Sequence, residues 1–145
     1  MIKVFVSQPM HGLSDEEIVA ERNRVVNKFI EAMKFQYPIV DAKVTVVNDV
    51  FRPYAPCSAS RLWYLTEAIR DMEIADVIIF CKGWDKASGC RVERAVVENY
   101  QSMFKDRLIL SEGVTGWYYI SKETMKRLGI SPSDMPNEVG SLAWT

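Results

Sequence analysis

The run ADVIIFC at residues 75–81 leaves this chain little freedom in how it folds. Every side chain in it except Asp76 is apolar, and the β-branched residues favour an extended backbone. An apolar run of strand length without polar alternation predicts a strand covered on both faces, as parallel strands are. IKVFVS at residues 2–7, Lys43 to Val47 and Arg107 to Leu110 read as further strands. Between them lie helical patterns. Ser14 with Glu17 makes a capping box, followed by Ile18, Val25, Phe29 and Met33 at helical spacing, with Pro38 ending the element. A second helix is predicted over 60–74, burying Leu62, Leu65, Ile69 and Met72, and a third from Ser88 to Phe104. Another starts at Ser121 and stops at Gly129, a glycine suited to a C-terminal cap.

Strands alternating with helices predict an α/β fold. The expected form is a three-layer α/β/α sandwich with a mostly parallel, Rossmann- or flavodoxin-like sheet of four to five strands. A length of 145 residues suits a single domain over 1–145. The stretch NDVFRPYAPCSA at 48–59 reads as a long loop, of a length that is often functional. The tail SPSDMPNEVGSLAWT has little periodic signal and reads either as loose or as lying over a neighbouring subunit.

A formal charge of −1 gives no basic footprint for a nucleic-acid polymer, although a single nucleotide needs only a local anion site. No run of about 18 apolar residues exists to span a membrane, and MIKVFVSQPM is interrupted too early for a signal peptide. Cys57, Cys81 and Cys90 lack framework or zinc spacing, so reduced thiols, a cytoplasmic location and no metal are expected. Neither a Walker A run nor GxGxxG is present, and no cofactor is expected.

The chemistry concentrates between Glu67 and Glu93. Ser88 and Gly89 open a helix just after a buried strand, where free amides and the helix dipole favour an anion. Glu93 follows one turn later. An arbitrary helix glutamate is a solvated one, but at this position, at the carboxyl edge of a sheet, Glu93 reads equally as a site residue or as a solvated one. Asp71 shares a helix face with Tyr64 and Glu67, tolerating a like-charge neighbour and the wrong end of the dipole. It reads equally as a functional acid or as a surface acid neutralised by Arg70 or Lys82. The loop after the first strand offers Ser7, Gln8, Pro9, Met10 and Gly12 as a pocket wall; its bland reading is a turn shaped by Pro9 and Gly12. A Ser–His–Asp triad would have to use His11, the single histidine, and has little else to recommend it. Cys90 is a distant candidate nucleophile, and Trp63, Tyr64 and Trp84 are candidate stacking surfaces that serve as readily in a core.

Three segments, FVSQPMHGLSDEEI, AIRDMEIADVIIF and GWDKASGCRVERAVVENY, resemble the nucleoside 2-deoxyribosyltransferase-like superfamily, in particular a small phage and bacterial branch. The resemblance covers about 2–110, leaving about 111–145 as a C-terminal extension. It implies that Glu93 is a nucleophile that attacks an anomeric carbon and forms a glycosyl ester, as in retaining glycosidases. It implies that Asp71 positions or protonates the departing base, and that Ser88 and Gly89 hold a 5′-phosphate. The expected partner is a small-molecule nucleoside or nucleotide, and the expected assembly a homodimer or larger homo-oligomer. The pattern departs at Ala87, where transferases carry an aspartate, with Asp85 two residues earlier as the candidate substitute in substrate binding; the asparagine that transferases lend to a neighbour has no secure counterpart. These departures move the expectation from base exchange toward hydrolysis of a nucleoside or nucleoside 5′-monophosphate. The alternative is a catalytically silent nucleotide-binding module; a purely structural or interaction subunit is a third, weaker reading.

Overall fold

A computed structural model describes residues 1–38, 40–131 and 140–145. Its centre is an all-parallel sheet in the order β2 (Val44–Val46), β1 (Ile2–Ser7), β3 (Val77–Phe80), β4 (Leu108–Ser111). Ile2 lies opposite Val44, Phe5 opposite Ile78, and Ile78 opposite Ile109. Side chains alternate across the sheet. Val4, Val6, Val77 and Ile79 pack with Val25, Phe29 and Met33 of helix α1 (Asp15–Gln36). Phe5, Ile78 and Phe80 pack on the other face with Met72 of α2 (Arg61–Ile74) and Val97 of α3 (Ser88–Asn99). Both faces of β3 are therefore covered, which is why its sequence carries no polar alternation.

The predicted capping box of α1 forms, each partner's backbone amide donating to the other's side chain at 3.2 Å. Helix α5 (Lys122–Leu128) is capped by Ser121 and closed by Gly129 at φ 74°, a left-handed conformation that favours glycine.

The third helix stops short of its predicted end. It breaks at Tyr100 (φ −115°, ψ 44°) and resumes as α4 (Gln101–Phe104). The Asn99 amide donates to the carbonyl of Ala95 at 2.7 Å, a side chain-to-backbone bond that competes with helical propagation.

The apolar stripe assigned to α2 needs correction as well. Met72 is buried, Leu65 and Ile69 are half-buried, and Leu62 is 72% exposed. The helix rises about 21 Å over its length, whereas the strand that follows it spans only about 13 Å. The first turns of α2 consequently overhang the carboxyl end of the sheet.

The largest departure lies in the tail. An antiparallel pair, β5 (Gly116–Ile120) and β6 (Gly140–Trp144), was not read from the sequence. Leu142 and Trp144 are buried in the α1-side core beside Ile120, Met125 and Leu128. Residues 140–145 are neither loose nor spare, while 132–139 of the same tail lie outside the described residues. The Tyr37 hydroxyl donates to the Ser141 carbonyl at 2.8 Å and accepts the Ser141 amide at 3.1 Å. The Trp144 indole donates to the Ser111 carbonyl at 3.2 Å. These bonds tie β6 to α1 and to the end of β4.

Glu112, just past β4, clamps the same region. Its carboxylate accepts from Arg24 at 2.7 and 2.9 Å, from Lys28 at 3.1 Å and from the Lys82 amide at 3.1 Å. Burial pushes its pKa up, but the bonds from Arg24, Lys82 and Lys28 prevail and hold it at about 2, against the usual 4.5. The clamp is therefore in full force above pH 4.5 and fades as the pH falls toward 2. Glu112→Gln is expected to cost about 1–3 kcal/mol at pH 7, allowing for partly exposed partners. Denaturant melts across the acid range should show the difference from wild type shrinking below pH 4.5.

Among the described residues no helix is long and apolar enough to cross a membrane. All three cysteines are free: Cys57 is exposed, and Cys81 and Cys90 are buried.

Candidate active site

The chain places β2 on one side of β1 and then crosses to lay β3 and β4 on the other. At such a reversal, the crevice outside the carboxyl ends of the strands accepts ligands. A cleft of about 630 Å³ opens there. Its walls are the loop after β1 (Gln8, Pro9, Met10, His11), Arg61 at the start of α2, residues 86–91 and Glu93. Gly83, at φ 86°, makes the turn after β3, and a Cβ there would stand 3.6 Å from the Pro9 ring, so the two loops meet closely.

Glu93 is only 7% exposed, although it lines the cleft. Helix α3 brings its carboxylate to the end of β1, where the Ser7 hydroxyl donates to Oε1 at 3.0 Å. Burial raises its pKa to about 7; the Ser7 bond and the charges of Arg52 and Arg22 resist that rise without cancelling it. Near neutral pH this carboxylate exchanges protons readily and, once ionised, is poorly hydrated. Those are the properties of a nucleophile or a base. The buried Cys90 thiol is pushed up to about 11 by desolvation, which removes it as a nucleophile at neutral pH.

Ser88 and Gly89 line the cleft at the N-terminus of α3, where Ala87 offers no side chain to cap the helix. A Cβ on Gly89 would meet nothing within 4 Å, so the approach to these amides is unobstructed. Pro9 and Met10 also line the cleft. Gln8 is a lining residue and Ser7 is not, and the polar groups of both are committed inward. Ser7 serves Glu93, while the Gln8 amide donates to the Ile18 carbonyl at 3.0 Å and accepts from Arg22 Nε at 2.9 Å.

Besides Ser7, three expected site residues lie outside the lining. Gly12, at φ 79°, shapes the turn beyond His11 and is not a cleft residue. Asp85 sits exposed in a short 3₁₀ turn, Trp84–Lys86, outside the cleft lining. Asp71 is not a lining residue either. Its carboxylate accepts from Arg52 at 2.7 Å, so its partner is neither Arg70 nor Lys82. The candidate stacking aromatics are not lining residues either: Trp63 meets Tyr54 and Tyr64 edge-on, and Trp84 packs on Phe80 beneath the Arg94 guanidinium.

The sequence reading missed the cations. Arg61, Lys86 and Arg91 line the cleft mouth. Arg22 is buried and donates to Gln8 and to the Asn48 carbonyl. One signal for Arg22 was available: it falls in the apolar stripe of α1, between Ile18 and Val25, where a solvated arginine does not belong. Arg52 lies in an aperiodic loop that offers no such clue.

Among the described residues no group of three or more His, Cys, Asp or Glu is arranged to hold a metal. Comparison of the chain with protein-family models, curated proteins and solved structures finds no match.

Proposed function

We propose that this protein cleaves the N-glycosidic bond of a nucleoside 5′-monophosphate, with Glu93 as the nucleophile. The observation that carries the reading is a buried carboxylate, pKa about 7, oriented by Ser7 at the wall of an open cleft beside a helix N-terminus. The ionised Glu93 oxygen attacks the anomeric carbon, a carbon–oxygen bond replaces the carbon–nitrogen bond, and the base departs with the electron pair and takes up a proton. Water then attacks the glycosyl ester, releasing the sugar phosphate and restoring the carboxylate; an acceptor base in place of water gives transfer.

The phosphate preference rests on Arg61, Lys86 and Arg91 around the α3 amides, a concentration of positive charge in a chain of net charge −1. Narrowing the substrate to a monophosphate goes with the superfamily resemblance. So does the reading of the protein as a homo-oligomer.

The second reading is a silent nucleotide-binding module. It is favoured by Ala87 and by the engagement of Asp71 with Arg52, which leave no second carboxylic acid lining the cleft among the described residues.

Incubation with ribo- and deoxyribonucleosides and their 5′-monophosphates, followed by chromatography, separates the readings. Base release is expected from a monophosphate, at a rate that rises with pH through about 7 as Glu93 ionises. Glu93→Gln should reduce it by at least about 10³-fold. Thermal stabilisation by a nucleotide without base release would establish the binding module instead.

A further inference from the structure

The loop between β2 and α2 has unusually few attachments. Asn48 holds its start, exchanging bonds with both backbone groups of Val6 at 2.8 and 3.0 Å. Beyond that point the backbone bonds are local turns, Ala55 to Arg52 and Ala59 to Pro56. Among the described residues, one hydrogen bond ties 49–59 to another element, and it runs from Arg52 to Asp71 on α2. The Arg52 side chain is 6% exposed and that of Asp71 19%, so this is a largely desolvated pair. The other arm of the Arg52 guanidinium donates to the Tyr54 hydroxyl at 2.8 Å, and the Tyr54 ring meets Trp63 of α2 edge-on.

A desolvated guanidinium needs a counter-charge, and Asp71 supplies it. An aspartate so engaged spends its carboxylate on Arg52, and it lies outside the cleft lining, away from where a leaving base would sit. Arg52 also acts electrostatically on Glu93. The other groups around Glu93 are Ser7 from β1, Cys90 from α3 and Arg22 from α1, the last also facing Asp49 and Cys81.

We propose that Asp71 is the anchor of Arg52, and that the pair seats the 49–59 loop beside the cleft so that the guanidinium supports the Glu93 carboxylate. In the glycosidase reading, on which the catalytic meaning of this inference rests, both are positioning residues and the proton for the leaving base comes from the solvent-filled cleft.

The test uses two readouts that need no turnover. Carboxyl ¹³C NMR of glutamate-labelled protein follows the ionisation of Glu93, with Glu93→Gln giving the assignment. Cleavage by a non-tryptic protease follows the loop. Arg52→Gln is expected to move the Glu93 midpoint upward by about 0.5–1 unit, since it removes a nearby positive charge. Asp71→Asn should speed cleavage within 49–59 about tenfold, Arg52→Gln should match it, and the double variant should be no faster than either. Should Arg52→Gln fail to fold, Arg52→Lys serves: it keeps the charge but loses the forked contact, so cleavage should rise while the midpoint holds. An unmoved midpoint in Arg52→Gln, or unchanged cleavage in Asp71→Asn, overturns the proposal. An activity defect in Asp71→Asn that grows with the basicity of the leaving base, with the loop unchanged, would make Asp71 the proton donor. Absence of base release from wild type would instead count against the glycosidase and leave these two readouts intact.

Discussion

Glu93→Gln should yield a protein that has lost its chemistry and gained stability, by about 2–3 kcal/mol at pH 8. The reason is the raised pKa of the buried carboxyl, about 7 in the fold against 4.5 for an ordinary glutamate. Below pH 4.5 both folded and unfolded chains hold the proton, and the group contributes nothing to the pH dependence. As the pH rises, the unfolded chain gives up its proton first, which favours unfolding. Above pH 7 the full cost of the buried charge is in place. Glutamine cannot ionise, and its carbonyl oxygen still accepts from Ser7. At pH 8 the variant's melting temperature is expected to rise by about 5–10 °C. Near pH 4.5 it should return to the wild-type value. A gain that persists at pH 4.5 would trace to packing, and no gain at pH 8 would mean that the carboxylate is better solvated than its burial implies.

The second large effect is expected on the opposite face of the sheet. Trp144→Ala should destabilise by about 3–5 kcal/mol, a substantial part of a typical domain's stability of about 5–15 kcal/mol. The side chain is 2% exposed, so truncation leaves a cavity in the α1-side core. It also removes the donor to the Ser111 carbonyl and the ring over which the Lys28 ammonium lies at 4.5 Å. Trp144→Phe should recover most of the packing and lose the hydrogen bond. Urea melts measure both. A Trp144→Ala protein within about 0.5 kcal/mol of wild type would mean that β6 does not belong to the core.

What could be read in advance followed from patterns that repeat. The unbroken apolar run of β3, the capping box of α1 and the Ser121–Gly129 bracket of α5 each have a local cause and were legible. The β5–β6 pair was not, because residues 121–139 separate its two strands in the chain, and β5 alternates Trp117 and Tyr119 outward around a half-buried Tyr118. A single short strand of that composition looks like a loop until its partner is known. At the site, position along the sheet edge drew attention to Ser88, Gly89 and Glu93, which line the cleft together. Asp71 drew attention for the right anomaly, an acid in an unfavourable place, but the charge that compensates it comes from a loop without periodicity. Gly12 and Asp85 were chosen by proximity along the chain, and a turn of backbone was enough to carry them out of the lining.

The closure of β6 against α1 also bears on the order in which the molecule assembles. Tyr37 and Ser141 meet across 104 positions of chain, and the side chain of Lys28 reaches the Thr145 carbonyl across 117. The capping box and the ends of α5 require only a few neighbouring residues, so they can form early. Bringing distant segments together costs loop entropy before any contact repays it, and chains with such separations fold slowly. The α1-side half of the core is completed only when Leu142 and Trp144 reach Ile120, Met125 and Leu128. Truncation of β6 would leave this face of the parallel sheet without Leu142 and Trp144, and is expected to favour aggregation.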